Sequence, residues 1–173
     1  MMFNLIVTTF RHMESEAASE ILSLLKEMGD EQPEIYRTDV SGLLTARTNL
    51  DPYEVIRNIR KKVQDEPWSV RYLQRLIPID AVVNTNIDDI KDAVTKLASR
   101  IGEHETFRIT VEKRYSGLSS SDVIKNVASI IERKVSLESQ DWIVLIEIIG
   151  ENTAVSVIKP YAIFSAVKVK RES

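Results

Sequence analysis

The first part of the chain alternates between short apolar runs and one-sided apolar stripes. Residues 3–9 alternate in polarity and are rich in β-branched side chains, which predicts a first strand. At 14–28 the apolar residues recur on one helical stripe that stops before Gly29, so we predict a helix there. Two more short strands are predicted at 34–40 and 43–48. The pattern therefore begins as strand, helix, strand, strand.

A second helix and a fourth strand complete this unit. Asp51 can cap a helix N-terminus and Pro52 suits the first helical turn, so we predict that a helix begins here. The buried stripe of this helix comprises Val55, Ile56, Ile59 and Val63. Residues 68–77 are predicted to form a strand that ends at Pro78. The order β-α-β-β-α-β is that of a ferredoxin-like unit, which we assign to residues 1–80.

A second unit, of α/β type, is predicted at residues 84–173. Asn86 can cap a helix over 87–101, where apolar residues are spaced by three and four positions. Residues 142–149 are almost wholly apolar, which predicts a central strand covered on both faces. The remaining predicted elements are a half-buried strand at 107–111, a helix entered at 119–121, a strand at 154–158 and, at 161–170, a strand or a basic tail. The predicted fold class is therefore α+β, with an α/β second unit.

Composition limits the kind of protein this can be. Of its 173 residues, 43% are hydrophobic and 28% are charged, which is typical of a globular chain. The absence of cysteine excludes disulfides, zinc ribbons and thiol nucleophiles, and it fits a cytoplasmic location. No apolar run reaches the roughly 18 residues that a membrane-spanning helix needs, so we expect a soluble protein.

Charge is segregated along the chain although the net charge is only −3. Cations concentrate in two segments, which contain Arg57, Arg60, Lys61, Lys62, Arg71 and Arg75 in the first and Lys159, Lys168, Lys170 and Arg171 in the second. Acidic residues concentrate elsewhere. Because whole-chain charge averages over surfaces that a ligand never meets, a locally basic surface remains compatible with nucleic acid.

No constellation for catalysis is apparent. His12 and His104 have no partner at metal-binding spacing, and the adjacent carboxylates Asp88 and Asp89 fall in the first turn of a predicted helix, where they favour its dipole. The scattered glycines form no phosphate-binding loop. We therefore expect no catalytic residue, no metal site and no cofactor.

Residues 112–120 form the segment with the clearest chemistry for binding. The segment leaves a strand, carries Lys113, Arg114 and Tyr115, turns at a glycine and enters a helix through serines. The two cations can pair with phosphates, the tyrosine can stack on an unpaired base, and helix-start amides can bind an anion. The alternative is a solvated connection that happens to be basic.

Residues 107–114 and 120–123 resemble the core of the THUMP domain, which occurs in 4-thiouridine synthetases, some RNA methyltransferases and pseudouridine synthases. The similarity continues through 134–141, 146–148 and 154–157. In that family the middle stretch commonly reads Val-Asp-Leu followed by Asn-Pro-Asp. This chain departs from it at Ser136, Ser139 and Gln140 and keeps Val135, Leu137 and Asp141.

Residues 71–78 and 159–161 are similar to a THUMP group that acts as an adaptor for tRNA acetylation and has no catalytic domain. The resemblance implies binding to the acceptor region of tRNA, including its single-stranded end. It also implies that a separate acetyltransferase, holding acetyl-CoA, modifies a cytidine of the D-arm. We therefore expect a noncatalytic adaptor that presents the acceptor and 3′ end of tRNA to a tRNA-modifying enzyme.

The resemblance also selects candidate RNA-binding residues. The expected phosphate contacts are Arg108, Lys113, Arg114 and Lys125, with Tyr115 as a stacking residue. A second group, on the ferredoxin-like unit, comprises Arg57, Arg60, Lys61, Arg71 and Arg75, for which a solvated face is an equal alternative. Two other functions stay open at this point. One is an enzyme whose site forms at an oligomer interface, and the other is a protein–protein interaction module that binds an acidic partner.

Overall fold

The computed structural model describes residues 2–172, so residues 1 and 173, at the ends of the predicted domains, lie outside the described part. Contacts within the chain divide it into two compact units. One unit comprises the residues up to Ile79 together with those from Tyr161 onward, and the other comprises Asp80–Pro160.

The first unit has the predicted βαββαβ order. Its elements are β1 (Leu5–Thr8), α1 (Glu14–Glu27), β2 (Glu34–Arg37), β3 (Leu43–Arg47), α2 (Pro52–Asp65) and β4 (Arg75–Pro78). The strands lie in the order β4-β1-β3-β2 and every neighbouring pair is antiparallel. This topology confirms the ferredoxin-like prediction.

One face of this sheet carries the core of the first unit. Leu5 and Val7 of β1 pack in one buried cluster with Ile21 of α1 and with Ile56 and Ile59 of α2. The helix α2 begins as predicted, because Pro52 opens its first turn and the side chain of Asp51 accepts a hydrogen bond from a backbone N–H.

The predicted strand at 68–77 is shorter in the structure. Residues Pro67–Ser69 form a 3-10 turn, and pairing in β4 begins only at Arg75. The reason lies in α1, where the carboxylate of Glu20 accepts hydrogen bonds from the backbone N–H groups of Arg71, Tyr72 and Leu73. Amides held by a side chain in this way are not available to a strand ladder.

The second unit has the predicted α/β class, and it contains two strands, at Ala81–Asn84 and Lys134–Val135, that the sequence did not predict. Its elements are β5 (Ala81–Asn84), α3 (Ile87–Leu97), β6 (Thr106–Arg114), α4 (Ser120–Ala128), β7 (Lys134–Val135), β8 (Trp142–Ile149) and β9 (Asn152–Ile158). The strand order is β5-β9-β8-β6-β7, with β6 parallel to both β7 and β8. The apolar strand β8 lies at the centre, as predicted. Val144 and Ile146 of β8 pack with Val94 of α3 and Val123 of α4 in a second buried cluster.

The C-terminal segment differs from the prediction. It forms a short strand, β10 (Phe164–Ser165), and a helix, α5 (Ala166–Glu172), and β10 pairs with β4 of the first unit. Phe164 is fully buried in the first cluster together with Val169. Residues 161–173 are predicted from the sequence to belong to the second domain, because they directly follow it along the chain. In the structure, burial of these apolar side chains joins the described part of the segment to the first unit.

Candidate nucleic-acid interface

The connection between β6 and α4, which we call the 115 loop (residues 115–119), is held by several hydrogen bonds. The carbonyl of Arg114 accepts a hydrogen bond from the N–H of Gly150 at 2.8 Å. The hydroxyl of Ser119 caps α4 by accepting from the N–H of Asp122 at 3.2 Å. The loop therefore presents its side chains from a defined backbone.

Arg114, a predicted phosphate contact, is directed inward. Its guanidinium forms an ion pair with the carboxylate of Glu147 in β8, and Glu147 is only 1% exposed. A buried carboxylate is costly unless a cation compensates it. The structure therefore uses Arg114 as an anchor at the start of the 115 loop. Sequence reasoning missed this pair because the two residues lie 33 positions apart.

Arg108 is also engaged with the protein itself. Its guanidinium donates a hydrogen bond to the carbonyl of Leu137 at 2.9 Å, which orders the segment after β7. Because side chains alternate along a strand, Arg108 and Arg114 lie on one face of the sheet and Lys113 lies on the other. The structure therefore divides these three expected phosphate contacts between the two faces of the sheet.

Lys113, Tyr115 and Lys125 keep exposed side chains around the 115 loop. Lys113 lies on the face of β6 that carries α4, and Lys125 lies on α4 itself. Within residues 2–172, neither lysine takes part in an ion pair. The ring of Tyr115 is 72% exposed. These three side chains form the part of the predicted site that the structure leaves accessible.

Tyr115 has an unusual backbone conformation. Its φ of 54° lies in the left-handed region, which an aromatic residue rarely adopts. Such a conformation costs on the order of 1 kcal/mol or more and persists only where the surroundings impose it, often at ligand-binding sites. Tyr115 follows Arg114, whose carbonyl accepts from the N–H of Gly150, and precedes the capped helix α4.

The second predicted group of cations is divided by the fold. Arg57 pairs with Glu54 one turn earlier in α2. Arg60 donates hydrogen bonds to two carbonyls of the C-terminal segment, and burial lowers the pKa of its guanidinium below the ordinary value. Lys61 is exposed on α2. Arg71 lies in the connection before β4, and Arg75 is the first residue of β4. The group therefore contains a structural residue, Arg60, and two separate sets of exposed cations.

Lys159, counted above with the C-terminal cations, belongs to an internal network of the second unit. Its ammonium donates to the carboxylate of Glu105 at 3.0 Å and lies 4.4 Å from the centroid of the Trp142 ring. The indole of Trp142, Lys159 and the N–H of Gly102 all donate to Glu105, and together they lower the pKa of this carboxyl to about 2. The network connects the loop before β6 to β8 and β9.

Residues 2–172 contain neither a metal-binding cluster nor a membrane-spanning helix. No group of three histidine, aspartate or glutamate side chains is placed to hold a metal ion in this part of the chain. No helix within it is long and apolar enough to cross a membrane.

Comparison with known proteins identifies the second unit. The family model for the THUMP domain matches residues 84–158. THUMP domain-containing protein 1 of mouse is 27% identical over 125 residues, a match that covers 66% of this chain and 36% of the mouse protein. The bovine protein of the same name is also 27% identical over 125 residues, covering 66% of this chain and 35% of its own length.

Solved structures share the fold at low sequence identity. PH1313 from Pyrococcus horikoshii aligns with a TM-score of 0.71 at 20% identity, over 91% of this chain and 55% of that one. TrmN from Thermus thermophilus aligns with a TM-score of 0.56 at 16% identity, over 88% of this chain and 44% of that one. A 4-thiouridine synthetase in complex with RNA and ATP aligns with a TM-score of 0.56 at 13% identity, over 94% of this chain and 42% of that one. These structures show a shared fold, and the family model, together with the predicted motifs, identifies residues 84–158 as a THUMP domain. A THUMP domain suggests RNA binding and an association with tRNA modification.

Proposed function

We propose that this chain is a noncatalytic cytoplasmic adaptor that binds tRNA and presents its acceptor and 3′ end to a separate tRNA-modifying enzyme, a cytidine acetyltransferase. The observation that carries the proposal is the exposed ring of Tyr115 in the 115 loop of the THUMP domain, with exposed lysines on the strand before it (Lys113) and on the helix after it (Lys125). An aromatic ring flanked by cations is suited to an unpaired nucleotide of an RNA chain.

Each part of the 115 loop has a distinct role in this proposal. The ammonium groups of Lys113 and Lys125 neutralise phosphates, and the ring of Tyr115 stacks on an unpaired base. Arg114 holds the start of the loop through Glu147, and Arg108 orders the neighbouring segment, so both act on the site without touching RNA. A similar fold occurs in a 4-thiouridine synthetase whose structure contains RNA, which supports the choice of ligand.

The adaptor role rests on the similarity of residues 71–78 and 159–161 to the tRNA-acetylation group. In this role the chain supplies affinity and orientation, and the partner enzyme supplies acetyl-CoA and the chemistry. The purified chain with acetyl-CoA alone should leave tRNA unmodified, and adding the acetyltransferase should produce acetylated cytidine. Modification by the chain alone would contradict the adaptor role and favour an enzyme.

RNA binding is tested by titrating the full chain with a tRNA transcript and with the same transcript lacking its single-stranded 3′ end. We expect tighter binding to the intact tRNA, with a log–log salt slope of roughly −0.7 to −0.9 for each phosphate neutralised. The variant Lys113→Glu/Lys125→Glu should lose about tenfold or more in affinity, with an unchanged thermal midpoint. Equal affinity for the two transcripts would contradict the acceptor-end assignment.

A matched control is available in the same unit. Lys91→Glu/Lys96→Glu places the same charge reversal on α3, a different helix of this unit. We expect this control to bind tRNA nearly as the parent does. Parent-like binding by the 115-loop variant would show that the site is elsewhere.

A further inference from the structure

The connection between β1 and α1, which we call the β1 loop (residues 9–13), also exposes rings and a cation. Phe10 is 53% exposed, and Arg11 and His12 beside it are exposed as well. Apolar side chains of this size are ordinarily buried, so an aromatic ring directed to solvent next to two potentially cationic groups suggests contact with a ligand. Sequence reasoning assigned His12 no role beyond that of a surface residue.

The β1 loop has a defined position at one end of its sheet. The N–H of Thr9 donates to the carbonyl of Gly42 at 2.9 Å, and the hydroxyl of Thr9 donates to the carbonyl of Tyr72 at 2.7 Å. A side chain at Gly42 would place its Cβ 2.6 Å from the carbonyl oxygen of Thr9, so only glycine permits this approach. The loop is therefore held on two sides while its rings project outward.

His12 shares a rare conformation with Tyr115. Within the described residues, these two are the only non-glycine residues with positive φ, at 70° and 54°. Each lies between a strand and the helix that follows it, and each comes directly after an arginine, Arg11 or Arg114. Neither strained residue is buried, so packing of its ring in a core does not explain the conformation. Exposed strain of this kind is typical of positions that contact a ligand.

Further cations lie at the same end of the sheet. Arg75 is in register with Thr8, and Arg37 reaches to 3.8 Å from the carboxylate of Glu14. Two nearby carboxylates accept backbone hydrogen bonds: Glu14 accepts from the N–H of Gly42, and Glu20 accepts from three backbone amides. Arg11, Arg37 and Arg75 therefore lie at this end of the sheet, together with the exposed carboxylates of Glu16 and Asp39. Sequence reasoning singled out Arg75 but neither Arg11 nor Arg37.

We propose that the β1 loop, together with Arg75, is a second contact for single-stranded RNA, on the first unit. In this contact Phe10 and His12 stack on unpaired bases, and Arg11 and Arg75 neutralise phosphates. The inference rests on the RNA-binding function proposed above and extends it to residues outside the THUMP domain. RNA is favoured over an acidic protein because two flat exposed rings beside arginine match stacked bases, whereas carboxylates would need only the cations.

The test uses the full chain and an oligouridine of about 12 nucleotides, within the length that sequence-independent single-strand sites occupy. The variant Arg11→Gln/His12→Gly should lose about fivefold or more in affinity, and the magnitude of its salt slope should fall by about 0.7. Its thermal midpoint should be equal to or above that of the parent, because glycine accepts a φ of 70° without strain. A second variant, Phe10→Leu, keeps the apolar bulk without the ring and should also bind more weakly.

The matched control is Arg47→Gln, which removes an exposed arginine at the opposite end of the same sheet. We expect it to bind oligouridine as the parent does. A parallel variant of the 115 loop, Lys113→Gln/Tyr115→Gly, separates this inference from the proposed function. Loss of binding in that variant with parent-like binding by Arg11→Gln/His12→Gly overturns the inference and leaves the function intact.

Two other outcomes also count against the inference. Failure of the parent chain to bind any RNA removes the proposed function and this inference with it. If the β1-loop variants lose affinity for polyglutamate as much as for oligouridine, the surface is a general anion site and the stacking role is wrong.

Discussion

At the residue scale, the role of Arg114 is decided by one buried carboxylate. Its position in a basic strand–helix connection indicates a phosphate contact, and only the fold places Glu147 beside it. Breaking a buried pair by removing one partner is far more costly than replacing both, because a single charge is then left uncompensated. Comparing the stability of single and double variants therefore tests whether Arg114 anchors the loop or contacts a ligand.

We predict that Arg114→Met lowers the free energy of unfolding by about 2 kcal/mol or more, because Glu147 is left buried without its cation. The double variant Arg114→Met/Glu147→Met should recover most of this loss. Urea denaturation of both variants measures the difference. Parent-like stability of Arg114→Met together with weak tRNA binding would show that Arg114 contacts RNA directly.

Substitutions at Tyr115 can distinguish the contribution of its ring to RNA binding from the contribution of its backbone conformation to stability. We predict that Tyr115→Gly leaves the free energy of unfolding unchanged within about 1 kcal/mol, because relief of left-handed strain offsets the entropy that glycine adds to the unfolded chain. Affinity for tRNA should fall about fivefold through loss of stacking. Tyr115→Phe, which keeps the ring, is the control for the titration and should bind like the parent.

At the scale of elements, local patterns predicted most of the helices and strands, and side chains from elsewhere changed the rest. Periodicity and caps correctly placed α1, α2 and α3, because a helix satisfies its own backbone and needs only one apolar stripe. The strand predicted at 68–77 is largely absent, because Glu20 of a distant helix holds its amides. Whether these amides pair with a strand or with a side chain depends on residues far away in sequence. A local pattern therefore cannot predict it.

The Glu105 network makes the attachment of the loop before β6 dependent on pH. The pKa of Glu105 is lowered to about 2 in the folded chain, from an ordinary value of 4.5. A group with a lowered folded pKa stabilises the fold above its unfolded pKa, so its contribution is lost as pH falls from about 4.5 towards 2.

We therefore predict that Glu105→Gln reduces stability near neutral pH and weakens the loss of stability between about pH 4.5 and pH 2. Thermal midpoints across this range measure the effect. Glu103→Gln, an exposed carboxylate in the same connection, should follow the parent curve. If the two variants have the same pH profile, the Glu105 network contributes nothing to stability.

At the scale of the whole molecule, the chain returns to its first unit after completing the second. β10 adds to the edge of the first sheet beside β4, and α5 packs on α2. Arg60 reinforces this return through the carbonyl of Ile163, and Lys170 donates to the carbonyl of Val70 at 2.6 Å. The first unit is therefore built from both ends of the described chain.

We predict that Phe164→Ala destabilises the first unit by about 3 kcal/mol or more, the usual cost of removing a fully buried phenylalanine. Hydrogen exchange should become faster in the amides of β1 and β4. Tyr161→Ala, which removes a largely exposed ring of the same segment, should have little effect. Unchanged exchange in β1 and β4 after Phe164→Ala would contradict the assignment of this segment to the first core.

The sequence by itself determined the element order of the first unit, its ferredoxin-like topology, the central position of β8 and the resemblance to the THUMP domain. These follow from local periodicity, capping residues and motif spacing, which are properties of short stretches of chain. Only the tertiary structure decided that Arg114 faces Glu147, that Arg60 binds the C-terminal segment, that Phe164 belongs to the first core and that Arg75 lies at the end of the sheet that carries the β1 loop. The physical reason is that burial and charge pairing depend on residues far apart in sequence, which only the folded chain brings within contact distance.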